Sequence, residues 1–282
     1  MAEIGKQNNL RIDRELDFGV YLDGEELGDI LLPRRYVPED CKVDDLINVF
    51  VYFDSEDRII ATTEKPTITV GEFGMLKVLA VNEIGAFLKW GLLKDLLVPF
   101  SEQKQKMEVG KSYLVYAYID HVTNRIVASA KIDKFLDNIP ADYTVGLAVD
   151  LIIENQTDFG YKAIINNSHW GVLYKNEVFQ SLEKGQRIGG FIKKIRDDDK
   201  IDLCLDKPGF EKVEILSEKI IDVLKENNGF IAMSDKSPAE LIYDMFGVSK
   251  KTFKKALGAL YKQRLIKIEN EGIRIHDGTK SI

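Results

Sequence analysis

The stretch NEIGAFLKWGLLKDLLVPFSEQ, residues 82–103, decides how the chain is read. Ile84, Gly85, Ala86, Phe87 and Leu88 form an apolar run around a glycine and read as a strand. A tight turn at Trp90-Gly91 follows, then a second apolar run, Leu96-Leu97-Val98. Glycine inside a strand marks a bulge or a sharp bend, and a small coiled barrel needs such a bend to close. The stretch has two echoes, ELDFGVYLDGEELGDILLPRR at 15–35 and QTDFGYKAIINNSHWGVLYKNE at 156–177. Each repeats the order of strand with interior glycine, turn, apolar strand and polar exit. Gly19, Gly85 and Gly160 therefore recur at a domain-sized period.

Working outward, each echo sits in a unit of five expected strands. The first unit has strands near 10–12, 18–22, 30–32, 46–53 and 58–62, with a turn at 54–57. In the strand at 46–53 the apolar residues Leu46, Ile47, Val49, Val51 and Phe53 have mostly odd spacing. The second has strands at 74–81, the two of the 82–103 stretch, 113–119 and 125–130, and a linker at 136–143 that includes Pro140. The third has strands at 147–154, 159–165, 171–174, 186–195 and 200–205, and ends at Pro208-Gly209. The pattern then turns helical. Val213, Ile215, Leu216, Ile220, Ile221, Val223 and Leu224 make a stripe that stops at Asn228-Gly229. Pro238 opens a second helix that Gly247 stops, and Ser249 caps a third that keeps Phe253, Ala256, Leu257 and Leu260 on one face. Apolar runs at 265–269 and 273–275 flank Asn270-Glu271-Gly272 as a hairpin. Three helices and a hairpin are the winged-helix plan. The expected domains are 1–66, 67–140, 141–210 and 211–282.

The pattern Gly-small-aromatic-apolar, then Gly-x-apolar-apolar, resembles the S1 RNA-binding motif, a five-stranded OB-fold barrel. Three S1-like units followed by a winged helix resemble the conserved virulence factor B family of bacterial RNA-binding proteins. The fold expected is mainly β with an α+β C-terminal domain: three tandem S1-like OB-fold barrels and then a winged helix. The resemblance implies binding of single-stranded RNA and post-transcriptional regulation in a bacterial cytoplasm.

Composition agrees with several small cores. Of 282 residues 45% are apolar, and the net charge is -7. Cys41 and Cys204 fall in different repeats without a CxxC or nearby His partner, so neither a disulfide nor a zinc site is expected. The first ten residues hold no apolar h-region, so no signal peptide is expected. No apolar run approaches the roughly 20 residues that span a bilayer, so no membrane partner is expected. Charge divides unevenly. Residues 1–66 carry 8 basic and 16 acidic side chains, a net of -8; the next two units are close to neutral, and 211–282 carry 13 against 11.

S1-type barrels stack bases on one face and hold phosphates with basic side chains at its rim. By the resemblance, the stacking aromatics flank the strand-two glycine, one just before it and one two after. The first unit offers Phe18 and Tyr21, the second Ile84 and Phe87, the third Phe159 and Lys162. The family's strand-three histidine is replaced by Leu32, Val98 and Tyr174. A basic residue near strand five is matched by Arg58, Arg125 and Lys200, with Asp54, His121 and Arg196 four residues earlier. The third unit collects the fullest set: Phe159, Lys162, Tyr174, Arg196 and Lys200, with Lys193 and Lys194 on the adjoining strand. Phe18, Tyr21 and Arg58 sit in a unit so acidic that it is expected to bind RNA poorly, because phosphate contacts supply most non-specific affinity. In the winged helix, Lys250, Lys251, Lys254 and Lys255 lie on one side of the third helix, opposite Phe253 and Leu257. That helix has no Arg, Asn or Gln set for reading bases, so backbone contact is expected there.

Nothing points to catalysis or to a cofactor. His121, His169 and His276 lie far apart in sequence, and no GxSxG, HExxH or Walker-A pattern occurs. Asp197-Asp198-Asp199 reads as a solvated hairpin turn rather than a metal site. Two alternatives stay open: a DNA-binding regulator working through the winged helix, and a scaffold that docks translation or RNA-decay proteins.

Overall fold

A computed structural model describes residues 1–178, 180–207, 211–269 and 271–276. The boundary at Pro208-Gly209, the turn residue Asn270 and the side chains of Val213 and Ile215 lie outside this description. The chain forms two compact units, Met1–Asn138 and Ile139–Ile282.

The first unit contains two closed barrels. One is built from β1 (Gln7–Leu16), β2 (Gly19–Asp23), β3 (Asp29–Pro33), β4 (Leu46–Phe53) and β5 (Ile59–Thr62). Its strands close in the order β1-β2-β3-β5-β4. The other repeats that order with β6 (Phe73–Val81), β7 (Gly85–Lys89), β8 (Leu96–Pro99), β9 (Ser112–Ile119) and β10 (Ile126–Ser129). In the second unit β11 (Ala148–Thr157), β12 (Gly160–Ile165), β13 (His169–Tyr174), β14 (Arg187–Ile195) and β15 (Ile201–Cys204) repeat it a third time. In every barrel the third and fifth strands pair in parallel and the other pairs are antiparallel.

The recurrent glycines have a cause that differs from the expected bend. Gly19, Gly85 and Gly160 each open a second strand opposite the end of the third. A Cβ there would sit within 2.3 Å of Leu32 O, 2.3 Å of Val98 O and 1.9 Å of Leu173 O respectively. Only glycine allows two backbones to come that close. The bulges lie on the first strand of each barrel, between Ile12 and Arg14, Val78 and Ala80, and Ile153 and Asn155.

The strand β4 departs from the expectation of one buried face. Val49 and Val51 point into their own barrel, while Phe50 and Tyr52, also buried, point out of it into the core of the next barrel. Trp90, read as a turn residue, meets them there: its ring lies edge-on to Phe50 at 5.8 Å, and its Nε1 donates to Lys94 O at 2.5 Å. Such a ring pair adds about 0.5–1.5 kcal/mol beyond its buried area. The two barrels of the first unit therefore share one apolar seam.

The second unit continues into α1 (Glu211–Glu226), β16 (Phe230–Ile231), α2 (Ala239–Phe246), α3 (Lys250–Lys262), β17 (Ile266–Ile268) and β18 (Ile273–Ile275). The short strands form a sheet in the order β16-β18-β17, so the hairpin gains a third strand that sequence reading missed. Gly247 ends α2 at φ 70°, and Ser249 Oγ caps α3 by accepting from Thr252 N at 3.2 Å. Leu216, Ile220, Phe246, Phe253, Leu257 and Ile273 pack into one core. The fold is three five-stranded barrels followed by a winged helix. Among the described residues no helix is long and apolar enough to cross a membrane.

Candidate nucleic-acid interface

Strand register fixes which side chains share an outer face, because successive residues alternate sides. In β13, His169, Gly171 and Leu173 are buried, whereas Trp170, Val172 and Tyr174 face outward and are half-buried. Lys162 of β12 lies opposite Val172, and Asp202 of β15 lies beside Val172 on the other side. The Lys162 amine sits 3.5 Å from the centroid of the Trp170 ring. Four residues along the strand, a distance of about 13 Å, Tyr174 has the Lys193 amine and the Arg196 guanidinium each 5.8 Å from its ring. Cations at these distances are attracted by the negative face of the ring. Asp202 organises this end: it accepts from Arg196 Nε at 2.9 Å and from Tyr174 Oη at 3.3 Å. Phe159, just before Gly160, is 77% exposed.

Trp170 was not foreseen. The signal was available, since alternation backward from Tyr174 reaches residue 170. The expected equivalence of strand-three positions was also one residue out. Tyr174 pairs with Gly160 as Pro33 pairs with Gly19 and Pro99 with Gly85. Leu32 and Val98 instead point inward and are fully buried. By the same register, the positions matching Trp170 are Asp29 and Asp95.

Other expected residues are placed as follows. Lys200 projects from the hairpin turn, is well exposed, and pairs with Asp198 at 2.7 Å. That amine holds the Asp198 carboxyl below the usual carboxylate range. In the second barrel Phe87 is half-buried, Ile84 is exposed, and His121 is exposed in the turn after β9. Arg125 does not stand at a free rim: it pairs with Asp57 of the neighbouring barrel, where Lys94 also donates to Asp54 O at 2.5 Å. The outer face of β9 is covered too. Tyr116 stacks on Phe135 at 4.1 Å, and burial pushes the Tyr118 hydroxyl up to about 12.

In the first barrel Phe18 is 55% exposed and meets Tyr21 edge-on at 6.4 Å. Arg14 covers the Tyr21 ring at 4.4 Å while pairing with Asp29 at 2.6 Å. Arg11 pairs with Asp23 and Asp44, Arg34 with Glu15, and Arg58 with Asp54 and Glu56. Exposed pairs of this kind contribute little stability, but they neutralise the charge that a phosphate would seek.

On α3 the four expected lysines divide. Lys250 Nζ donates to Ser237 O at 2.7 Å, and Lys254 lies 3.5 Å from Asp235. Lys251 and Lys255 are exposed and form no ion pair with a described residue. His169 is buried and structural: its Nε2 donates to Ile139 O at 2.8 Å, and its Nδ1 accepts from Tyr143 Oη at 2.9 Å. Among the described residues no group of three or more His, Cys, Asp or Glu could hold a metal ion.

Comparison with known proteins bears on this arrangement. A family model described as S1 domain matches residues 4–64 and 70–131, and one described as CvfB-like winged helix domain matches 218–275. The chain is 30% identical over 277 residues to the uncharacterized protein YitL of Bacillus subtilis, covering 94% of this chain and 91% of that one. It is 24% identical to conserved virulence factor B of Staphylococcus saprophyticus, covering 84% and 82%. The chain belongs to the conserved virulence factor B family. Among solved structures, a multidomain protein with nucleic acid binding domains from Streptococcus pneumoniae is 23% identical, covering 96% of this chain and 98% of that chain at a TM-score of 0.40. The family is of the S1 and winged-helix nucleic-acid-binding type and is not a known enzyme family. The S1 matches cover the first two barrels; the third shares their strand order.

Proposed function

We propose that the chain is a non-enzymatic single-stranded RNA-binding protein that regulates genes after transcription in a bacterial cytoplasm. The observation that carries this reading is the outer face of β13, where Trp170 and Tyr174 stand in line with cations at ring distance. Every base has a π face, so such a platform binds with little sequence preference, at about 1–3 kcal/mol per stacked base. In this reading bases stack on Trp170 and Tyr174, and Phe159 extends the platform. Lys162 shifts from the Trp170 ring toward a phosphate, whereas Lys193 and Arg196, tied to Glu177 and Asp202, hold the Tyr174 ring in place. Lys251 and Lys255 add backbone contacts, each contributing about 0.7 to the logarithmic salt slope for a single strand. Phe87, His121 and Lys200 contribute at the margin, while Arg58 and Arg125 are held by carboxylates.

The test is anisotropy of a fluorescent single-stranded RNA with the full chain across a salt series, beside duplex DNA of equal length. Tighter binding of the RNA is expected. Preference for the duplex would favour a DNA-binding regulator acting through the winged helix.

A second role is favoured by a separate observation. The first barrel exposes Phe18 beside Tyr21 in strongly acidic surroundings. That combination suits docking of a basic protein surface, such as a translation or RNA-decay factor. Co-purification that survives nuclease treatment would support it.

A further inference from the structure

The exposed side of α3 carries a glycine that neither backbone conformation nor packing among the described residues requires. Gly258 lies inside this helix on its exposed side. It does not have a positive φ, and a Cβ built there meets nothing within 4 Å. Glycine is among the poorest residues in a helix interior because it gives up the most backbone freedom on ordering. Alanine would fit and would stabilise, so neither backbone strain nor packing among the described residues calls for glycine.

The neighbours of Gly258 are cations. Lys251, Lys255, Gly258 and Lys262 follow the spacing i, i+4, i+7 and i+11, one line along a helix surface. Lys254 and Tyr261 flank that line, and Tyr261 is well exposed. Lys251, Lys255 and Lys262 are exposed and form no ion pair with a described residue. A face of this charge repels a second copy of itself and attracts a polyanion. We infer that Gly258 is the point at which the sugar-phosphate backbone of a bound RNA strand passes closest to the backbone of α3, with lysines holding phosphates on either side. Glycine permits such an approach because it presents no side chain. The inference rests on the RNA-binding reading above and adds to it a position where size, not charge, sets affinity.

The experiment compares full-length parent, Gly258→Ala and Gly258→Leu by circular-dichroism melting and by anisotropy with a fluorescein-labelled oligouridylate. Gly258→Ala is expected to raise the melting temperature while weakening RNA binding about threefold to tenfold, the scale of one lost close contact. Gly258→Leu is expected to bind more weakly still. If the parent binds and Gly258→Ala melts higher yet binds equally well, the inference is overturned and the RNA-binding reading stands. If the parent does not bind the oligouridylate even at low salt, that reading fails and the inference with it. If the parent prefers duplex DNA and Gly258→Ala weakens only the duplex, the contact is not with a single strand and the inference is again overturned.

Discussion

The first and third barrels have the same strand order and the same crowded glycine, yet they present opposite chemistry on corresponding faces. In the first, the aromatic residue is on the second strand, Tyr21, and its cation Arg14 is tied to Asp29 on the third strand. In the third, the cation Lys162 is on the second strand and the aromatic residue Trp170 occupies the position of Asp29. An acid at that position attracts the barrel's own arginine and repels phosphate. A tryptophan there presents a ring, which the proposed reading gives to a base, with Lys162 beside it. The difference teaches that one topology can carry opposite charge arrangements on the same face, and in the proposed reading the third-strand position decides which barrel accepts a polyanion.

The largest effect expected concerns the first unit. Phe50→Ala removes a fully buried ring from the seam between its two barrels and should cost about 3–5 kcal/mol. Trp90 fluorescence during urea unfolding, in a Trp170→Phe background, reads this directly. A cost below about 1 kcal/mol, too small for a buried ring, would mean that the two barrels do not share a core.

Next comes the third barrel. Tyr174→Ala should weaken single-stranded RNA binding by about 1–3 kcal/mol with little change in salt slope, since stacking carries no counterion release. A loss confined to the salt slope would recast Tyr174 as a positioner of Arg196.

A smaller effect should appear at alkaline pH. Burial pushes the hydroxyls of Tyr52 and Tyr118, both in the first unit, up to about 12. Below about pH 10 these groups are neutral whether the chain is folded or not. Above it the unfolded chain ionises first, so stability falls as pH rises from about 10 toward 12. Melting at pH 9 and pH 11 should show this loss, and Tyr52→Phe should reduce it.

Smallest is the contribution of a single lysine. Lys255→Ala should make the logarithmic salt slope shallower by about 0.7, whereas Arg58→Ala, whose guanidinium is held by Asp54 and Glu56, should leave it unchanged.

The repeat of Gly19, Gly85 and Gly160 made the barrels legible, because a backbone contact that only glycine permits leaves a mark in the sequence wherever the topology recurs. The helix boundaries at Pro238, Gly247 and Ser249 were legible for a similar reason: caps are local chemistry. The role of Phe50, Tyr52 and Trp90 was not, since alternation assigns a residue to a face without saying what covers that face. Trp170 escapes a sequence reading that starts the third strand at Gly171, one residue after it. The one-residue slip at Leu32 and Val98 puts inward side chains in place of outward ones, because in a strand such a slip turns every side chain to the other side. The pairing of Arg125 with Asp57 was hidden because it joins residues far apart in sequence. The strand β16, Phe230–Ile231, is too short for any periodicity to register.

The central claim is that corresponding faces of the first and third barrels differ in their use of RNA. It is tested most directly by two double variants of the full chain, Phe18→Ala/Tyr21→Ala and Trp170→Ala/Tyr174→Ala, titrated against one labelled single-stranded RNA, with a melting curve for each. The expected result is native-like melting for both, parental affinity for the first and at least about a tenfold loss for the second. A loss of affinity in the first variant with none in the second would contradict the claim.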